Sequence, residues 1–463
     1  MSMQKFDSVV VGSGPGGYPC AIRMAQLGLR VAIVEEAELG GECLNYGCIP
    51  SKAIIQLSDL FHRAEEAVKN GTASGSLAPD MKGIQQFRKN VVGRMTRGVE
   101  TLLKGNAVTV IRGRGRIAGK GVVEAAGETL ECGSVVLATG SSFIELPSIR
   151  FDHKSILDVR DLLSIEHTPS SLLVVGGGFI GLEMGVAFAK LGTEVTVVEM
   201  MPQVMPGIEQ DVLRVVERRL KSLGIRVMTS STVVECEKGE ETVRSTVRGP
   251  DGTAQVESEL VLVSVGKRSS AAATGLEKQG VAVDRKGFVI VDERCRTNVP
   301  WIYAVGDVTG PPFLAHRATA MGKVAAECIA GLPSAMEQRV MPNAVFTDPE
   351  IATAGMTQSE AEKEGIEVKT GKFPFTASGR ATTLGDTEGF VRVVARKDDG
   401  TVIGCQIVGR EASELISEAA LAIEMGATLE DVALTIHPHP TLPEAFMEAA
   451  EAADKRATHF IVR

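Results

Sequence analysis

Residues 6–35 read FDSVVVGSGPGGYPCAIRMAQLGLRVAIVE. Phe6 to Val11 is a short unbroken apolar run, the pattern of a β-strand buried on both faces. Gly12, Gly14 and Gly17 follow in GxGxxG register. Tyr18 to Leu27 carries a helical pattern that stops at Gly28, and a second strand, LRVAIVE, ends in Glu35. Strand, glycine turn, helix, strand and acid is the order of a dinucleotide-binding unit. The glycines allow a tight turn and a close approach of backbone N–H groups to a pyrophosphate at the helix N-terminus. The terminal acid is placed to accept hydrogen bonds from a ribose diol.

The pattern occurs twice. SLLVVGGGFIG, from residue 171, gives a strand and a second GxGxxG at Gly176, Gly178 and Gly181. A helical stretch runs from Leu182 to Leu191, and EVTVVE ends in Glu199. The same distance separates Gly12 from Glu35 and Gly176 from Glu199. Each copy also closes on a strand and a glycine: VVLATGS reaches Gly140, VLVSVG reaches Gly266. Gly140 reads either as a close backbone approach to a ligand or as an ordinary turn. Two matched units imply two bound dinucleotides. At the second, MMPQVMP follows Glu199 without an arginine cluster. A 2′-phosphate there meets a like charge costing several kcal/mol, so NAD is favoured over NADP.

Between the copies lies GGECLNYGCIPSKA, residues 40–53, with Cys43 and Cys48 in a glycine-rich turn that runs into a helical pattern. Thiols this close can form a small strained disulfide, and such bonds are the labile, catalytic ones. A structural disulfide or two buried free cysteines is the alternative. Lys52, one helical turn after Cys48, shares its helix face and favours the thiolate. The first nucleotide unit adjoins this pair. A flavin there can take electrons from a thiolate, which assigns FAD to the first unit.

The bulk numbers agree with this class. The chain has 463 residues, enough for about three domains, and its 50 glycines exceed the typical ~7%, an excess that tight phosphate-binding turns use. The net charge of −9 and the lack of a basic stripe exclude a nucleic-acid footprint. No signal-peptide pattern and no run of 18 apolar residues is present. Only one pair among the eight cysteines is closely spaced, which points to a reducing compartment and a cytoplasmic protein.

Further along, Ala53 to Lys104 reads as charged helix with a break near Gly71 to Pro79, and Pro147 to Pro169 as a linker. WIYAVGDVTG ends a strand at Gly306 and Asp307, and PPFLAHRATA leads into a helix. Asp307 reads as a partner for a ribityl chain or as a turn residue. Glu183, early in the second helix, reads as a buried partner for Lys52 or as a solvated acid. From Met341 onward strands alternate with charged helices, including a DDG hairpin turn and an amphipathic stretch from Glu411 to Gly426. Near the end, TIHPHPTLPEAF sets His437 and His439 among prolines, with Glu444 five residues beyond His439. No third or fourth His or Cys stands nearby, so no metal is expected. A histidine oriented by a carboxylate is a proton acceptor suited to a thiol near neutral pH; a rigid surface turn is the alternative.

Taken together, GSGPGG, GGECLNYGCIPSKA, LATGS, GGGFIGLEMG, AVGDVTGPPFLAH and HPHPTLPEAF resemble the pyridine nucleotide-disulfide oxidoreductase family over nearly the whole chain. The branch it is most similar to oxidises dihydrolipoyl groups. The resemblance implies an α/β fold of two Rossmann-like dinucleotide-binding domains plus a C-terminal α+β dimerisation domain. It divides the chain into 1–147 (FAD), 148–270 (NAD), 271–341 (central, completing the FAD site) and 342–463 (interface). It implies a homodimer in which His439 and Glu444 of one chain face Cys43 and Cys48 of the other. Catalytic roles then fall to Cys43, Cys48, Lys52, His439 and Glu444. The FAD site takes Gly12, Gly14, Gly17, Glu35, Gly41, Glu42, Lys52, Gly115, Thr139, Gly140, Ser141, Gly306, Asp307, Leu314, Ala315 and His316. The NAD site takes Gly176, Gly178, Phe179, Ile180, Gly181, Glu183, Glu199, Val233 and Gly266. Partners are dihydrolipoyl groups on carrier proteins of 2-oxoacid dehydrogenase or glycine-cleavage complexes. One departure stands beside the first cysteine: Glu42 occupies a position where the family often has Thr, and its charge is expected to raise the pKa of Cys43 unless it is directed away. An NADPH-driven reductase of glutathione or a related disulfide, and an idle docking subunit, are the rival readings.

Overall fold

A computed structural model of the chain describes residues 3–462. It divides into two compact units, Met1–Pro169 with Glu235–Arg244 and Glu259–Glu337, and Ser170–Val234 with Ser245–Ser258 and Gln338–Arg463.

In the first unit the opening apolar run is the centre of a sheet. The strand Met3–Val11 lies between Val31–Glu35 and Glu128–Leu137, parallel to both, with Val9 opposite Ala32 and Val135. Thr109–Arg112 extends one side, and Ile302–Ala304 adds to Glu128–Leu137 on the other. Val9, Val10, Ala32, Ile33, Val135 and Val136 are wholly buried, as a parallel sheet covered on both faces requires. The helix Gly17–Gln26 packs Cys20, Ala21 and Met24 into that core. Gly12, at φ +100°, makes the turn between strand and helix, a conformation a side chain rarely adopts. The charged helical region is two helices, Cys48–Lys69 and Met81–Gly105, so the helix begins at the second cysteine.

The stretch expected to be a linker is ordered. Ile156–Leu157 pairs in parallel with Leu260–Val263. Asp158 and Asp161 form a reciprocal capping box on the short helix Val159–Leu162, which satisfies the first-turn N–H groups that would otherwise leave so short a helix frayed.

In the second unit Ser171–Val175, Glu194–Val198 and Arg226–Met228 run parallel, with Val197 opposite Val174 and Val227. The helix Phe179–Lys190 is buried along most of its length. Lys190 at its end pairs with Asp348 at 2.7 Å, and Arg219 of the helix Gln210–Ser222 reaches the same carboxylate oxygen at 2.7 Å. The C-terminal region is a five-stranded antiparallel sheet ordered Asn343–Val345, Glu350–Gly355, Val402–Gly409, Phe390–Arg396, Val368–Pro374. The helices Ala412–Met425 and Glu444–Ala453 bury Ala419, Ala445, Phe446 and Ala449 in the same core as Phe373, Val393, Cys405 and Ile407. Each large side chain there contributes about 1.5–3 kcal/mol of burial.

Candidate active site

Cys43 sits in the short helix Gly41–Asn45, and Cys48 is the first residue of Cys48–Lys69. Both are free thiols, and their side chains hydrogen-bond to one another. The bond makes the two sulfurs unequal. Cys43, the donor, is held well above the usual thiol range by that bond and by burial. Cys48, the acceptor, is pulled below it, chiefly by the bond from Cys43 and against burial, with Lys52 assisting. A helix N-terminus adds partial positive charge in the same sense. The bond and its surroundings therefore favour a thiolate on Cys48 over one on Cys43. Asn45 holds the loop: its side-chain N–H groups donate to Leu39 O (3.0 Å) and Gly41 O (2.9 Å), and it accepts from Thr96 Oγ1 at 3.1 Å.

The loop is tied to the first glycine turn. Gly40 N–H donates to Ser13 O, and to Ser13 Oγ at 3.2 Å. Ser13 in turn donates to Glu35 through its N–H (2.8 Å) and its hydroxyl (2.6 Å), and Ala37 N–H donates to the other oxygen at 2.8 Å. The second turn repeats the device: Glu199 accepts from Gly177 N–H and from Met201 N–H, both at 2.7 Å. A Cβ on Gly17 would stand 2.0 Å from Gly12 O, and one on Gly181 2.3 Å from Gly176 O. Beside Gly14, Gly140 and Gly178 the space is open.

The other positions expected at the cofactors have the following surroundings, with Gly266 in the first unit and Gly176, Gly178 and Gly181 in the second. Gly115 packs on Val11 and Val34, and Gly41 lies against Gly14. Ser141 Oγ donates to Asp307 Oδ2 at 2.7 Å, in a short 3-10 turn that begins at Gly306. Leu314 caps the helix Ala315–Ile329, on whose first turn His316 is exposed. Phe179 and Ile180 open the helix after Gly178. Val233 is buried in Thr232–Lys238. Gly266 accepts a backbone hydrogen bond from Ile144. Glu183 is buried and accepts from Phe346 N–H at 2.9 Å, which disagrees with a solvated acid.

The two histidines separate clearly. His437 is only 4% exposed at its side chain and is committed, with Nδ1 to Thr435 O (2.8 Å) and Nε2 to Glu418 (2.7 Å). His439 is 76% exposed, with Nδ1 2.9 Å from Glu444 Oε1. The carboxylate fixes Nδ1 as the donor, leaving Nε2 as the nitrogen that takes a proton. Thr441 N–H donates to the second Glu444 oxygen at 2.7 Å. Burial raises the Glu444 pKa, but that bond and His439 outweigh it, and the carboxyl stays below its ordinary range.

Sequence reasoning missed three residues. Ser13 and Asn45 position the cysteine loop. Lys267, on the strand Lys267–Ser269, lies 2.5 Å from Glu42 Oε1. Asn45 and Ser13 sit inside motifs already singled out; Lys267 carried no local signal.

The chain matches the pyridine nucleotide-disulphide oxidoreductase family over residues 6–322, and that family's dimerisation domain over residues 341–450. It belongs to this family. Among curated relatives, it is 44% identical over 461 residues to the dihydrolipoyl dehydrogenase of Geobacillus stearothermophilus, covering 99% of this chain and 98% of that one. It is 44% identical over 463 residues to that of Thermus scotoductus, covering 100% of each. Among solved structures, LpdA from Mycobacterium tuberculosis has a TM-score of 0.89 at 30% identity, covering 97% of this chain and 99% of that one.

A pyridine nucleotide-disulphide oxidoreductase of this kind uses FAD and NAD(H), and the residues fit both. Thr139 Oγ1 is buried without a hydrogen-bond partner, an acceptor–donor left for a ligand beside the open flank of Gly140. Glu35 and Glu199 keep carboxylate lone pairs beyond those the backbone uses. Within the family's fold no helix among the described residues is long and apolar enough to cross a membrane.

Proposed function

We propose that the chain oxidises dihydrolipoyl groups on carrier proteins and reduces NAD+ through a Cys43–Cys48 couple and FAD. The observation that carries this reading is the hydrogen-bonded pair of free thiols with Cys48 as the first residue of a helix, where a thiolate on Cys48 is favoured over one on Cys43. The relatives named dihydrolipoyl dehydrogenase supply the substrate class.

In the oxidised enzyme Cys43 and Cys48 share a disulfide. The partner subunit's His439, oriented by its own Glu444, accepts a proton from one substrate thiol, which at an ordinary pKa of ~8.5 is mostly protonated at neutral pH. The resulting thiolate attacks Cys43 Sγ, the Cys43–Cys48 bond breaks, and Cys48 leaves as thiolate. The second substrate thiol displaces Cys43, which takes up a proton, and the lipoyl group departs as a disulfide. Two electrons have then moved from substrate to the cysteine couple. Lys52 and the helix N-terminus hold the charge left on Cys48. Bound FAD and NAD supply the two-electron acceptor and the hydride acceptor that return the couple to its disulfide. Glu35 and Glu199 orient the two adenosine riboses, and a carboxylate at Glu199 selects against a 2′-phosphate.

The four-part division at residues 147, 270 and 341, the homodimer and a cytoplasmic location belong to the same reading. The dimerisation-domain match, which opens at residue 341, supports the homodimer and the last of these boundaries. Purified protein should be yellow and should reduce NAD+ with dihydrolipoamide. Turnover of glutathione disulfide with NADPH in place of that reaction, or colourless and inactive protein, would overturn the assignment.

A further inference from the structure

We propose that Lys267 is a positioning residue of the dithiol site, engaging Glu42 so that the carboxylate next to Cys43 does not oppose a thiolate on Cys48. The inference rests on the functional reading above and deepens it. Glu42 introduces a negative charge one residue from a thiol that must exchange with a thiolate, and that charge needs an answer. The backbone supplies one from far along the chain. Lys267–Ser269 pairs antiparallel with Ser141–Phe143, Lys267 standing opposite Phe143. This register sets Lys267 Nζ 2.5 Å from Glu42 Oε1, 3.7 Å from Asp307 Oδ2 and 5.3 Å from the centre of the Phe143 ring. Asp307 is itself held by Ser141 Oγ at 2.7 Å. The Lys267 side chain is 10% exposed and that of Glu42 27%, so the lysine end of the pair is the better screened from salt.

The groups acting on Cys48 are Cys43, Lys52, Glu42 and Lys267, and Cys43 in turn raises Tyr18. Glu42 opposes the Cys48 thiolate and Lys267 favours it. Burial pushes the Lys267 ammonium toward neutrality, but Glu42 and Asp307 outweigh it and keep it charged. Lys267 thus offsets part of the opposition that Glu42 presents to a thiolate on Cys48.

The test uses two-electron-reduced holoenzyme and follows the long-wavelength absorption of the Cys48 thiolate against the flavin as pH is varied. Lys267→Met should raise the pH midpoint of that band by about one unit, the low end for losing an opposite charge nearby. Lys267→Arg and the double variant Glu42→Gln/Lys267→Met should both return it to the wild-type value. An unchanged midpoint in Lys267→Met overturns the proposal, as does a double variant that keeps the shift. Should Lys267→Met fail to fold, Glu42→Gln alone leaves the lysine unopposed and should lower the midpoint; an unchanged or raised midpoint overturns the proposal. Wild-type turnover of dihydrolipoamide with NAD+ is measured on the same preparation. If it is absent, the functional reading fails while the titration still reports on Lys267.

Discussion

The residues proposed to react differ from their neighbours by what their polar atoms are committed to. His437 and His439 stand two apart in a proline-bound run, yet one ring has both nitrogens bonded and the other has one. His439→Ala should therefore lower dihydrolipoamide turnover by about 10²-fold, the usual loss with a general base. NADH-driven reduction of the bound flavin should be unaffected, because no substrate proton is involved; stopped-flow measurement of the two half-reactions checks both. Cys48→Ser should keep bound FAD and lose the long-wavelength band on reduction, read in an anaerobic titration. Persistence of the band would move the thiolate to Cys43.

Much of this was legible because the deciding patterns are local. The glycine turns at Gly12–Gly17 and Gly176–Gly181, the cysteine loop and the His439–Glu444 spacing each lie within a few residues of sequence. What was not legible depends on chain contacts made at long range. Lys267 and Glu42 are 225 residues apart, and no periodicity links them. The inequality of His437 and His439 comes from Glu418, on a helix of its own. The helix Val159–Leu162 was hidden because its order comes from a four-residue aspartate box rather than from apolar spacing.

At the scale of elements, the two nucleotide units are separable. Gly181→Ala sets a methyl 2.3 Å from Gly176 O, which neither backbone can absorb without shifting. It should cost about 1–3 kcal/mol of stability and weaken NAD binding by titration calorimetry, while FAD content stays at the wild-type level. The triad of Lys190, Arg219 and Asp348 joins the helices Phe179–Lys190 and Gln210–Ser222 to the segment before Glu350–Gly355. Burial raises the Asp348 carboxyl, but the two cations outweigh it and hold it below its ordinary range. A depressed folded value means the contribution is complete above the unfolded value of ~3.9 and is lost as pH falls through the folded one. Asp348→Asn should cost about 3–5 kcal/mol at neutral pH, as breaking a buried pair does. The deficit should shrink in urea melts carried down toward pH 3; a deficit independent of pH would show that the ion pair is not its source.

At the scale of the molecule, the C-terminal region presents apolar side chains that a lone chain has no use for. Leu434 is 74% exposed, Ile436 93% and Met425 76%; in a homodimer such a group has a face to cover. Leu434→Asp together with Ile436→Asp should shift the protein to monomer in sedimentation velocity. The monomer should remain yellow and lose lipoamide turnover if, as proposed, the Cys43–Cys48 pair is served by the partner's His439.

Ser13 has a consequence at this scale as well. Its few atoms join the end of a strand, the turn where a flavin's phosphates are expected and the loop that carries the sulfurs. Its hydroxyl alone both donates to Glu35 and accepts from Gly40 N–H, so Ser13→Ala unfastens strand end and sulfur loop in one stroke.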